Sequence, residues 1–398
     1  MSLASGRPYL AIPGPSVIPE RVLNAMHRAS PNIYEGALID MTASIWPDLK
    51  KVAQTRQHAA IYIGNGHAAW EASLMNVFSH GDKAIALATG RFGLGWAEHA
   101  RQLGVDVVLQ DFGKAAPIDL NMLEDILRDN MDATALLMTH VDTATSIRND
   151  VAAVRKVMDT VGFDGLLMVD CIASLGCDEF RMDDWGVDVM VAASQKGLMT
   201  PPGLGLVFFS DKAHAASHRA NLRTPYWNWL PRVDANHFYM HFYGTAPTHH
   251  LFGLREALTM IMEEGIEDVW ARHATLARAV WAAADTWGQG GAMRLNVANP
   301  AQRGHSVTAL RLSGADGTRL RRWCENEAGV TLGVGLGMAE PGTPEADAFF
   351  RVAHMGHVNA HMTLGALAVM DTAMKALNIP HGEGALEAAT RAMITPAP

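Results

Sequence analysis

One stretch constrains the fold more than any other: Gly165 to Ser210, GLLMVDCIASLGCDEFRMDDWGVDVMVAASQKGLMTPPGLGLVFFS. It holds three short apolar runs, and two of them end near a charged group that a buried strand should not carry, Asp170 and Lys196. Runs such as Leu166 to Val169 and Val187 to Ala193 lack polar alternation, so they read as strands covered on both faces, as in a parallel sheet wrapped by helices. Such a sheet binds its ligand beyond the carboxyl ends of its strands. Asp170 closes the first run and Lys196 follows the second after Ser194 and Gln195, so both side chains should project into one crevice from neighbouring strands.

A lysine and a carboxylate placed this way suit a pyridoxal phosphate enzyme. The lysine amine bonds the cofactor aldehyde as a Schiff base, and the carboxylate keeps the pyridine nitrogen protonated so that the ring acts as an electron sink. The two residues alone leave a second reading open, a buried structural ion pair that satisfies both charges with no cofactor.

A chain of 398 residues has room for one large α/β domain and a smaller one, and 49% hydrophobic with 18% charged residues is ordinary for a globular protein with a sizeable core. The net charge of -9 comes with no long basic run, which argues against a nucleic acid partner. The start, MSLASGRPYLAIPGP, has no apolar core of signal-peptide length, nothing later offers about 18 uninterrupted apolar residues for a membrane span, and ITPAP at the end is no peroxisomal address. Three cysteines, Cys171, Cys177 and Cys324, are too few and too irregular for a disulfide framework or a zinc site. A cytoplasmic protein without a metal is expected.

In chain order, the proline-rich PYLAIPGPSVIP (residues 8 to 19) should be an extended arm leading into a helix from Glu20 to Ala29. SPNIYEG is turn-like and carries Tyr34. A helix across Met41 to Gln57 precedes the apolar run Ala59 to Ile63, then Gly64-Asn65-Gly66-His67 and a helix beginning AAWEASLMNVF. This strand, glycine turn and helix start form an anion site, with the backbone N–H groups of Gly66 and His67 free for a phosphate. The turn also loosely fits a dinucleotide fingerprint, but the next strand, Ala84 to Thr89, ends in no acid for a ribose, so the phosphate reading stands above a dehydrogenase. Phe92 lies in a glycine-bordered turn where its ring can stack on a planar group. The strand Ala135 to His140 runs into the hydroxyl-bearing turn that holds Thr143 and Thr145. The aromatic loop RTPYWNWLPRVDANHFYMHFYGTAPTHHLFG is dense enough in apolar side chains to suggest a subunit interface. A long helical stretch from Leu251 to Trp287 then bridges to strands at Val307 to Leu312, Val330 to Leu336 and Phe349 to His354, with helices at Arg319 to Ala328 and Met362 to Leu377. The domains expected are an arm (1–20), a large cofactor-binding domain (21–270) and a small α/β domain (271–398).

With Asp170, Lys196 and the phosphate turn in view, the chain resembles the fold-type I pyridoxal phosphate enzymes of aminotransferase class V, and among them the alanine–glyoxylate and serine–glyoxylate aminotransferases. The resemblance covers nearly the whole length. It is carried by PGP at 13 to 15, GNGHAAWEA at 64 to 72, VDCIASLG at 169 to 176, MDDWGVDVMVAASQKGLMTPPGLG at 182 to 205, YGTAP at 243 to 247, LREAL at 254 to 258 and FRVAHMGHVN at 350 to 359. It implies a large domain with a mainly parallel seven-stranded sheet and a smaller C-terminal α/β domain. It also implies a homodimer that moves an amino group from alanine or serine to glyoxylate or another small keto acid.

Position by position, the resemblance makes Lys196 the Schiff-base lysine and Asp170 the partner of the pyridine nitrogen. Asn65, Gly66 and His67 form the phosphate cup with Gln195, Phe92 stacks on the ring, and Thr143 and Thr145 lie near the phenolic oxygen. Thr245, with Tyr243 beside it, reaches the phosphate of the other subunit. Arg351 grips the substrate α-carboxylate, and the Tyr34 segment lines the substrate side. Three departures from the family pattern stand out: Asn65 where many relatives have serine, Ser146 in place of the usual glycine, and PNIYEG in place of the more common loop. The last faintly resembles a pyridoxamine–pyruvate aminotransferase, which makes that activity the alternative. A cysteine desulfurase would need a mobile loop cysteine, whereas Cys324 lies in the helical RLRRWCENEA. A dehydrogenase or an inactive homologue are the readings from other classes.

Overall fold

The computed structural model describes residues 2–395, so the last three residues of ITPAP lie outside the described residues. Twelve strands form two sheets: β1 Tyr9–Ala11, β2 His58–Gly64, β3 Lys83–Ala88, β4 Asp106–Asp111, β5 Ala135–Thr139, β6 Leu166–Asp170, β7 Val189–Ala193, β8 Gly203–Phe209, β9 Arg294–Leu295, β10 Val307–Arg311, β11 Val330–Val334 and β12 Phe349–Ala353. The larger sheet has seven strands in the order β2-β8-β7-β6-β5-β3-β4, the smaller has five in the order β1-β11-β12-β10-β9. Only β8 runs against its neighbours in the large sheet. The carboxyl ends of β2, β3, β5, β6 and β7 therefore share one edge.

The unbroken apolar runs have the expected cause. Along β2, β5, β6, β7 and β8, alternate side chains enter two separate cores, one on each face of the sheet. Ile61, Leu136, Leu167, Met190 and Phe208 pack on one side. Tyr62, Leu137, Met168, Val191 and Phe209 pack on the other. Each such large side chain contributes about 2 kcal/mol on leaving water, so a one-residue slip of any central strand would exchange two full sets of contacts.

The structure refines several boundaries. The expected helix over Met41 to Gln57 is two helices, Ala37–Ala43 and Ile45–Ala53, and Pro47 falls in the first turn of the second, where its missing N–H costs nothing. The long stretch to Trp287 is broken at Gly265, whose φ of 90° a side chain would resist, into Thr248–Glu264 and Ile266–Gln289. The second of these crosses the boundary expected at residue 270: its Val269 belongs to a core of the large sheet, and its Ala283 and Trp287 belong to that of the small one. A further helix, Ala385–Ile394, was not foreseen. The proline-rich arm contributes β1, which pairs parallel with β11 at the edge of the small sheet, where a proline neighbour does least harm. Among the described residues no helix is long and apolar enough to cross a membrane.

Candidate active site

β6 and β7 are adjacent and parallel, with Asp170 opposite Val191, so Asp170 and Lys196 leave neighbouring strands at the same edge. Both are buried. Asp170 accepts hydrogen bonds from the Ile172 N–H on Oδ1 (2.7 Å) and from the indole N–H of Trp70 on Oδ2 (2.9 Å). Burial outweighs these donors and pushes its carboxyl up to about 7. The Lys196 amine is moved the other way, down to about 8, by burial first and by the Arg351 charge second. Lys196 Nζ donates to the Pro13 carbonyl, and Ser16 ties the arm to the same place through its hydroxyl to the Lys196 carbonyl (2.7 Å) and its N–H to the Gln195 carbonyl (2.9 Å). A Cβ at Gly14 would sit 2.5 Å from Lys196 Nζ. The PGP arm thus crosses from the small sheet to lie against the lysine, and only glycine fits at its centre.

Arg351 sits in the middle of β12, buried to 5% exposure. Its Nε donates to the Val334 carbonyl (2.7 Å) and its Nη1 to the Thr143 carbonyl (2.9 Å). Thr143 is buried in the turn after β5, which is held from both sides. Asp142 anchors it to the helix Arg91–Gln102 by accepting from the N–H groups of Phe92 (2.8 Å) and Gly93 (3.3 Å), while its other oxygen accepts from Ala144 N–H (2.9 Å). Ser146 adopts φ 60° where a glycine would be at ease, and its hydroxyl accepts the Ala309 N–H of β10 (3.1 Å). Thr145 turns its hydroxyl inward, donating to the Thr89 carbonyl (3.0 Å), so it supports the turn rather than facing the crevice.

At the glycine turn the structure corrects one expectation. The His67 N–H is not free: Asn65 caps the helix Gly66–Val77, its Oδ1 accepting from His67 N–H (3.0 Å) and Ala68 N–H (3.4 Å). Asparagine is a strong N-cap, and an anion at this turn must share these donors with it or displace it. The Gly66 N–H has no partner among the described residues, and a Cβ at Gly66 would lie 2.5 Å from Ile172 Cδ1, so a larger residue would have to push aside the side chain two beyond Asp170. Phe92 lies in the first turn of its helix rather than before it, edge-on to Trp70 at 6.2 Å. His67 packs against Trp70 at 4.7 Å, and partial burial lowers its pKa.

Tyr34, Tyr243 and Thr245 are not brought to Lys196 within the chain. Tyr34 is 86% exposed and lines, with Trp46, Phe238, Tyr239 and Thr245, a groove of about 760 Å³. Tyr243 is exposed at the end of the same segment, at φ 54°. The aromatic segment is not all surface: Trp229 stacks on Phe209 at 4.0 Å, and buried Arg232 lies 4.2 Å over the Tyr62 ring while donating to the carbonyls of Ile61, Tyr226 and His241. Those side chains belong to the subunit's own core because a buried guanidinium needs carbonyls fixed around it.

The residues present fit pyridoxal phosphate. Gln195 has a buried Oε1 with no partner among the described residues, aligned in sequence with the lysine it precedes. Among the described residues no cation is hydrogen-bonded to Asp170, and a protonated ring nitrogen would supply one. Sequence reasoning missed Trp70, Asp142 and the carbonyl of Pro13; of these only Asp142 carried a signal, an acid directly before Thr143 in the hydroxyl-bearing turn.

An α/β subunit of seven mainly parallel strands with lysine and aspartate on its central carboxyl edge is the fold of the type I pyridoxal phosphate enzymes. The chain superimposes on the crystal structure of pyridoxamine-pyruvate aminotransferase from Mesorhizobium loti with a TM-score of 0.88 at 24% identity, covering 99% of each chain. In sequence, residues 9–355 match the family model Aminotransferase class-V. Two curated relatives are the serine–glyoxylate aminotransferase of Arabidopsis thaliana, 33% identical across 97% of this chain and 95% of the relative, and the L-aspartate–glyoxylate aminotransferase of Paracoccus denitrificans, 33% identical across 93% and 91%. The chain belongs to the class V aminotransferases, a pyridoxal phosphate-dependent family.

Proposed function

We propose that this aminotransferase passes the amino group of a small amino acid, alanine or serine, to glyoxylate, with pyridoxal phosphate held in the crevice around Lys196. The observation that carries it is the trio of Lys196, Asp170 and Arg351, drawn from β12 and the ends of β6 and β7, with Arg351 and Asp170 both acting electrostatically on Lys196. Relatives named for glyoxylate give the acceptor. Bound there, the cofactor supplies an aldehyde for the amine and a ring that takes up electrons from the substrate Cα.

Lys196 is tuned to serve as both nucleophile and base. With its pKa down to about 8, about one amine in ten is neutral at pH 7, against about one in three thousand for an ordinary lysine. It takes the Cα proton onto Nζ and returns it. Asp170 holds a proton at the ring nitrogen. Arg351 spends two N–H groups on carbonyls, and its remaining fork suits an α-carboxylate. Asn65, Gly66, His67 and Gln195 would hold the phosphate, Phe92 would stack on the ring, and Thr143 would serve the phenolic oxygen.

The active unit is a homodimer. An apolar groove holding Tyr34 and Thr245, remote from the chain's own Lys196, supports a second copy covering it, with Tyr243 and Thr245 serving the partner's cofactor. Three buried free cysteines suit a reducing cytoplasm. The test is an assay of purified holoenzyme with alanine, serine and aspartate as donors to glyoxylate, beside pyridoxamine with pyruvate. Turnover of pyridoxamine with pyruvate, and none with glyoxylate, would move the protein to the alternative activity.

A further inference from the structure

Asp170 has unusually thin support for a carboxylate that must stay ionised against a ring nitrogen. It is buried, and its two oxygens receive one neutral donor each among the described residues, Ile172 N–H and Trp70 Nε1–H. The first comes from the backbone two residues on and fixes Oδ1 through local geometry alone. The second comes from a hundred residues away and is what sets the rotation of the carboxylate plane.

Trp70 is built to be rigid. It is 1% exposed, its indole stacks parallel on Trp96 at 6.3 Å, and its ring edge meets His99 at 5.4 Å. A Cβ at Gly95 would come within 3.3 Å of its six-membered ring, so the facing helix carries a glycine where the indole passes. Trp70 also stands one turn beyond Gly66 on the helix Gly66–Val77, so the glycine turn and the Asp170 contact ride on a single rigid element. The same indole touches His67 and Phe92.

We infer that Trp70 is a positioning residue for the reaction: its indole N–H orients Asp170 toward the ring nitrogen and keeps the carboxylate ionised, while its ring sets the phosphate turn and the stacking phenylalanine in register with it. The inference rests on the proposed cofactor site. Its direction follows from hydrogen bonding: a donor to the charged form favours that form, and removing it leaves burial, which already pushes Asp170 upward, unopposed on one oxygen.

The test substitutes Trp70→Phe, which keeps most of the volume and removes the N–H; a benzothienylalanine placed at position 70 by nonsense suppression keeps the shape as well and serves if the phenylalanine variant does not fold. Two readouts are taken. In the protein without cofactor, ¹³C NMR of labelled aspartate should show the Asp170 midpoint rising by about one pH unit, the amount expected for one hydrogen bond to a charged group. In binding, affinity for pyridoxal phosphate should fall by about tenfold relative to that for its 1-deaza analogue, in which CH replaces the ring nitrogen and nothing can bond Asp170. Equal weakening of both compounds with an unmoved Asp170 midpoint would reduce Trp70 to packing and overturn the inference. If the unsubstituted protein binds neither compound, the cofactor reading itself fails; the aspartate titration still separates that outcome from a failure of Trp70 alone.

Discussion

Replacing Arg351 tests the site most sharply, because its geometry states how many donors are available. A guanidinium has five N–H groups. One on Nε and one on Nη1 are held by the carbonyls of Val334 and Thr143. Three remain, one on Nη1 and two on Nη2, enough for the two parallel bonds that a carboxylate accepts. Arg351→Lys keeps the charge and loses the fork, so one charge-assisted bond of about 2 kcal/mol goes, roughly a thirtyfold fall in kcat/KM. Arg351→Gln removes the charge too and should cost about 3–5 kcal/mol, a fall of some hundreds to some thousands. Both substrates carry an α-carboxylate, so single-turnover measurements from each cofactor form should show the loss with amino donor and keto acceptor alike. The glutamine variant has a second signature. Arg351 lowers the Lys196 pKa, so its removal raises it, and a step that needs the neutral amine, which exists above that pKa, must move to higher pH. A loss confined to one half reaction would mean that Arg351 binds a distal group, and a midpoint that stays or falls would refute the electrostatic coupling.

Lys196→Ala should abolish turnover and borohydride-fixed cofactor, and peptide mapping of the unsubstituted protein should find the label on Lys196; a label on another lysine sinks the assignment. Gly66→Asp would place a carboxylate at the turn and a Cβ against Ile172, so cofactor content after dialysis should fall to near zero, whereas full retention would move the phosphate elsewhere. Asp142→Ala strands three N–H groups, those of Gly93 and Ala144 buried and that of Phe92 partly so, and should destabilise the fold by about 3 kcal/mol in chemical denaturation; no change would show the turn to be held by other contacts. Sedimentation of the active enzyme should give a dimer, and a fully active monomer would contradict the role given to Thr245.

The sequence by itself determined the large sheet. Short apolar runs without alternation, bounded by turn residues, read as strands with a core on each face, and a charge closing such a run should face the crevice at the strand's end; Asp170 and Lys196 were therefore legible before any coordinate. The glycine turn was legible as an anion site from its strand–turn–helix pattern, whereas Arg351 became legible through family resemblance, since an arginine in an apolar strand does not name its ligand. Local rules failed where a tertiary partner decided. Gly265 ends a helix that composition would continue, and a three-residue strand forms in a proline-rich arm because the edge of the small sheet lies beside it. The His67 N–H is taken by the side chain of Asn65, a competition between two good acceptors that pattern reading cannot settle. Nothing in the pattern of its helix singles out Trp70, and only the approach of β6 gives its N–H a carboxylate to hold. Hydrophobic periodicity is a property of neighbours in the chain, whereas a hydrogen bond between residues a hundred positions apart exists only after the sheet has brought them together.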